Sequence, residues 1–106
     1  MQYFLCHDPE EPVDVKWAES FPGDIHAGIF THEAIVQRKV PLLMSIATYR
    51  VHADFTGGEL EDIANGISDI IDDFRDDPAV AEALWNLRLV CLIGRDERMT
   101  LCFRRD

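Results

Sequence analysis

The stretch TGGELEDIANGISDIIDDF, residues 56–74, decides how the rest of the chain is read. Thr56 and Glu59 stand at the T-x-x-E spacing of a capping box, in which hydroxyl and carboxylate each take an orphan amide of the first turn. Winding the chain at about 100° per residue gathers Leu60, Ile63, Ile67, Ile70, Ile71 and Phe74 into an arc of roughly 120°. That is the width of a helix lying on a core. On the far side fall Glu61, Asp62, Asp69, Asp72, Asp73 and Asp76, with Glu59 at the border and Arg75 to balance them. Gly66 sits beside Ile63 and Ile70. A mid-helix glycine costs about 1 kcal/mol relative to alanine, which predicts close backbone approach or a bend there.

Working outward, Asp77-Pro78 supplies an N-cap and a first-position proline. A short helix is expected over Pro78–Asn86, with Val80, Ala83 and Leu84 inward and Trp85 outward. Leu87–Ile93 is apolar on both alternating sides and reads as a central strand. Gly94–Arg98 then reads as a hairpin loop and Met99–Arg104 as its partner strand, with Met99, Leu101 and Phe103 inward. On the other side, Leu42–Phe55 reads as a long strand: Ala53 and Phe55 lie on one face, and Arg50, His52 and Asp54 on the other. Thr31 offers a cap for a helix over Thr31–Lys39 that ends before Pro41. Residues 10–24 read as a short helix from Pro12 with Val13, Trp17 and Phe21 on one side, or as an irregular loop, with a turn at Pro22-Gly23-Asp24. Gln2–His7 reads as a first strand ended by Asp8-Pro9.

These elements predict one α+β domain over residues 1–106: a two-layer sandwich, its mostly antiparallel sheet of about four strands, helices packed on one face. Parallel pairing through the helical connection after residue 55 is allowed. At 106 residues the chain is long enough for a single modest core, and 47% apolar with 28% charged residues separates it from disordered sequences. Cys6, Cys91 and Cys102 are odd in number and sit in apolar runs, as reduced, buried thiols of a cytoplasmic protein do. The amino terminus lacks the basic region of a signal peptide, and no segment approaches membrane-spanning length.

The formal charge is −10, and it is uneven: residues 56–86 hold nine acids and one base, whereas residues 87–106 hold three acids and five arginines. Such a field repels nucleic acid and anionic membrane and favours cationic partners. No cofactor motif is present. Gly57-Gly58 lacks the lysine and spacing of a phosphate loop, and His7, His26, His32 and His52 match no metal-ligand spacing. Cys6 and His7 point to opposite faces of a strand and make no dyad.

Three functional readings follow. In the first, Glu59, Asp62, Asp69, Asp72, Asp73 and Asp76 form a partner-binding surface for a basic protein, with Trp85 as anchor. The plain alternatives are a solvated helix face and a Trp85 packed between helices. In size and charge the chain is similar to small acidic inhibitor and immunity-type proteins that plug basic toxin or nuclease clefts. Secretion chaperones and viral inhibitors of nucleic-acid-binding complexes share that profile. In the second reading, Arg50, His52 and Asp54, with His32, line the polar pocket of a small enzyme or ligand-binding domain. The third is a homo-oligomeric assembly module pairing through the edge of the 99–104 hairpin or of the first strand.

Overall fold

A computed structural model describes residues 2–10, 15, 17–46 and 52–104. It is an α+β fold built on a four-stranded antiparallel sheet with strand order β2-β1-β4-β3. The strands are β1 (Gln2–Cys6), β2 (Trp17–Ser20), β3 (Ala53–Phe55) and β4 (Thr100–Arg104). The helices are α1 (Gly23–Ile29), α2 (Glu33–Lys39), α3 (Gly57–Ile70) and α4 (Pro78–Glu97). Tyr3 pairs with Phe103 and Phe103 with Ala53; Leu5 pairs with Leu101 and Leu101 with Phe55. These six side chains share one sheet face and are buried in the core with α3 and α4.

The long acidic stretch folds as its pattern predicts. Thr56 and Glu59 form the capping box, with the Thr56 amide donating to Glu59 Oε1 at 3.3 Å. Leu60, Ile63, Ile67, Ile70 and Phe74 are buried and Ile71 half-buried. The last turn, Ile71–Phe74, tightens to a 3-10 helix. Asp77 caps α4, accepting from the Val80 amide.

The largest correction concerns residues 87–98. They are neither strand nor hairpin loop; they continue α4 to Glu97. Leucine and arginine make up half of this segment and are strong helix formers. The buried positions Val80, Leu84, Leu87, Cys91 and Gly94 keep helical phase throughout. Gly94 stays inside the helix because a Cβ there would come within 2.8 Å of Leu5 and 3.0 Å of Leu60 side-chain carbons. The missing side chain lets α4 settle against both β1 and α3.

Other expectations are revised as well. Residues 42–55 are not one strand. Pro41–Ile46 is a 3-10 helix that buries Leu43 and Ile46, three residues apart on one side, and only Ala53–Phe55 pairs in the sheet. The part of that expectation over residues 47–51 lies outside the described residues. Helix 31–39 is shorter: Thr31 does not cap it, since it lies in the 3-10 turn Phe30–His32 and its hydroxyl donates back to the Ala27 carbonyl of α1. His32 precedes α2 instead. Trp17 belongs to β2 and not to a helix or loop, and Pro22-Gly23-Asp24 opens α1; Val13 lies outside the described residues. All described strand pairs are antiparallel. Met99–Arg104 and the first strand are both interior, so neither offers the open edge expected of an assembly module; β2 and β3 flank them.

Alpha-4 ends at Arg98, whose φ of 57° and ψ of 43° place it in the left-handed region. That conformation costs an L-residue about 1–2 kcal/mol and suits glycine at helix ends. Arg98→Gly is expected to raise stability by about 0.5–1 kcal/mol, read as a shift in the urea midpoint. An unchanged or lower midpoint would show that the arginine side chain offsets its own strain.

The three cysteines are free and buried, with Cys6 and Cys102 thiols in contact at 3.7 Å. Burial pushes the Cys91 thiol up to about 12 and raises the Tyr3 hydroxyl as well. The unfolded chain releases the Cys91 proton near its ordinary value of 9.0. The stability this thiol confers is therefore whole below pH 9 and is lost as pH climbs towards 12, by up to about 1.4 kcal/mol per pH unit. Urea midpoints at about pH 8 and about pH 10.5 measure the loss; burial raises Cys102 and Tyr3 as well, so Cys91→Ala should lessen the slope without removing it.

Candidate functional site

Six carboxylates expected at the partner surface, Glu59, Asp62, Asp69, Asp72, Asp73 and Asp76, are all exposed. Their arrangement follows from helical phase. Because Leu60, Ile63, Ile67 and Ile70 are turned into the core, residues about half a turn away must face water. On the side of α3 towards α4, Glu61 is matched, with Arg95 Nη1 3.5 Å away, and Arg88 Nε donates to the neutral Ser68 Oγ at 2.7 Å. On the side towards α2, Lys39 is the cation that reaches the ridge among the described residues. Its Nζ donates to the Asp69 carbonyl at 3.2 Å and lies 3.9 Å from Asp73 Oδ2. The anionic surface is thus a ridge displaced towards α2, not a uniform face.

Beside this ridge runs a groove that the sequence did not reveal. It has a volume of about 470 Å³ and lies where α2 turns into the Pro41–Ile46 helix and meets α3. Val40, Pro41 and Leu42 line it from the α2 side and Glu59, Asp62, Ile63 and Asp69 from α3; Val40 and Ile63 are buried, so Pro41 and Leu42 are its accessible apolar side chains. Gly66 makes the junction possible. A Cβ at this position would stand 2.6 Å from the Lys39 carbonyl oxygen and 2.7 Å from Val40 Cγ2, so the close approach expected at Gly66 is backbone against helix.

Charge at the carboxyl end of α3 runs against local stability. The helix carbonyls already present partial negative charge there, and Asp72 and Asp73 add to it, each at a cost of about 0.3–1 kcal/mol. Asp76 and Asp77 have a structural use, since they stand at the amino terminus of α4. Arg75 relieves one carbonyl, its Nε donating to the Asp72 oxygen at 3.1 Å.

Trp85 lies on the outer side of α4 and is 51% exposed, so it is not packed between the helices. The Arg88 guanidinium covers its ring at 4.9 Å and stands between the tryptophan and the acidic ridge. Leu89, expected in a strand core, is 54% exposed one turn further on. Trp85 and Leu89 together make an apolar patch on α4. Helical phase alone places Leu89 there, and reading residues 87–93 as a strand hid it.

Among the described residues, those of the polar pocket expected around residue 52 do not converge. His52 is exposed, and Asp54 is held by Arg104, whose Nη1 lies 2.6 Å from Asp54 Oδ1. That hydrogen bond raises the Arg104 pKa further. Arg50 lies outside the described residues. His32 is packed edge-on against Phe74 at 5.1 Å, on the helical side. The α2–α3 groove and a shallower one on the β1–β2 ribbon are lined by neither His52 nor Asp54. Among the described residues no three His, Cys, Asp or Glu side chains converge as metal ligands, and every buried side-chain nitrogen or oxygen has a partner. His26 is one of these, its Nε2 donating to the Ile46 carbonyl at 2.6 Å and tying α1 to the end of the 3-10 helix. No helix among the described residues is long and apolar enough to cross a membrane. No family model matches the chain, and comparison with curated proteins and with solved structures returns no match either.

Proposed function

We propose that the protein is a non-enzymatic binding module whose acidic ridge on α3 engages a basic protein, in the manner of an inhibitor or immunity-type protein. The observation that supports this best is the lopsided charge of α3. Glu61, on the side facing α4, is paired with Arg95, while Asp62, Asp69, Asp73 and Asp76 are left at the surface beside an open groove. Two of the ridge aspartates, Asp72 and Asp73, sit where the helix dipole disfavours them, and such departures from local preference gather at functional sites. A cationic partner would gain encounter rate and orientation from this ridge more than bulk affinity. Trp85 and Leu89, on α4 beyond Arg88, would add a desolvated contact for a partner that extends past the ridge.

Titrating the chain with deca-lysine at about 0.02 M and about 0.3 M salt tests the electrostatic part. Binding that weakens steeply across that range supports the reading. Absence of binding at low salt, or binding indifferent to salt, rules it out.

A further inference from the structure

We infer that the groove between α2 and α3 seats an aliphatic side chain flanked by lysine or arginine, so that the partner segment is basic and amphipathic and not a plain polycation. This inference rests on the binding role proposed for the acidic ridge and specifies what the ridge holds. The groove has two unlike walls. Pro41 and Leu42 are the accessible apolar side chains of one, over the buried Val40 and Ile63, and Asp62 and Asp69 stand on the other. Its volume of about 470 Å³ falls within the range of roughly 300–1,000 Å³ found for ligand clefts. A lysine-only partner would satisfy the carboxylates and leave the wall of Pro41 and Leu42 wet. An aliphatic side chain between two cations covers that wall while its neighbours reach the acids.

Lys39 illustrates how the rim treats a cation. Its ammonium is held by the Asp69 carbonyl at 3.2 Å and by the Asp73 carboxylate at 3.9 Å, while its own stem lines the groove. A partner lysine or arginine laid along the ridge would meet the same kind of acceptor at Asp62 and Asp69.

Two twelve-residue peptides of equal charge and spacing decide the matter: three repeats of Lys-Lys-Leu-Leu and three repeats of Lys-Lys-Ser-Ser. Each is titrated into the full chain and followed by amide NMR. The leucine peptide should bind about 10-fold or more tightly than the serine peptide, because one well-buried aliphatic side chain supplies at least that factor. Its shifts should centre on Val40, Leu42, Ile63 and Gly66. Leu42→Ser should abolish the preference without changing affinity for the serine peptide, which also reports that the variant is folded; Pro41→Ser, at an exposed position, gives a milder version. Equal binding of the two peptides, with shifts confined to the aspartates, would overturn the groove and leave the ridge standing. Preferential binding mapped to Trp85 and Leu89 would also overturn the groove. Failure of both peptides to bind would remove the ridge and the groove together.

Discussion

A chain carrying Asp62→Asn, Asp69→Asn and Asp73→Asn together is expected to bind deca-lysine about 3- to 100-fold more weakly at low salt, with its melting temperature almost unmoved. Each exposed carboxylate–ammonium pair is worth about 0.2–1 kcal/mol, and three acting along one ridge multiply to that range. The fold should tolerate the change because none of the three carboxylates is buried. Asp73 gives up a long ion pair with Lys39 at 3.9 Å and gains relief from the helix dipole, two effects of about equal size. Asparagine keeps the shape of each side chain. Loss of binding without loss of stability, measured by calorimetric titration beside thermal melts, is the signature of a surface kept for a partner. A parallel fall in both would point instead to a ridge whose acids hold α2 against α3.

The second large effect falls on the scaffold. Gly66→Val is expected to destabilise the fold by about 3 kcal/mol or more, lowering the melting temperature by more than about 10 °C. Its Cβ would overlap the Lys39 carbonyl at 2.6 Å and Val40 at 2.7 Å. A backbone carbonyl at a helix end cannot swing aside as a flexible side chain can. Relief requires α2 and α3 to part, which would also reshape the groove they enclose. Gly66→Ala should cost less, because alanine's better helix propensity returns about 1 kcal/mol. A valine variant as stable as the parent, by urea denaturation, would mean that α2 does not lie against α3 at this point.

What the sequence disclosed about this molecule depended on how local each cause was. Alpha-3 was legible because its cap, its apolar stripe and its acids all repeat within one helix, so one phase fixed which carboxylates face water. Alpha-4 was legible only in its first half. Leu87–Ile93 carries apolar residues at every position except Arg88, and such a run fits a strand buried on both faces as well as a helix. Gly94 then looked like a turn because its close approach to Leu5 and Leu60 is a tertiary fact. The same ambiguity hid the exposed Leu89. Beta-2 was missed for the opposite reason: Trp17–Ser20 is exposed at every position, so it has no apolar alternation to betray it. Prolines gave stops but not shapes. Pro41 ended α2 as read, yet a 3-10 helix followed where a strand was expected. The acidic half of the site was therefore visible in advance, whereas its apolar half was not. Pro41 and Leu42 become a wall only when α2 is laid across Gly66. The Arg50, His52 and Asp54 constellation was proposed from adjacency along a strand, and Arg104, fifty residues away in sequence, holds Asp54 instead.

The most direct measurement compares two variants of equal net charge. One carries amides at Asp62, Asp69 and Asp73; the other carries them at Glu10, Glu19 and Asp24, exposed acids elsewhere on the chain. Affinity for deca-lysine should fall in the first and stay within about twofold of the parent in the second, since distant exposed charges are screened beyond about 10 Å at 0.1 M salt. Equal losses in the two variants would show that net charge alone attracts cations, and that α3 presents no binding surface of its own.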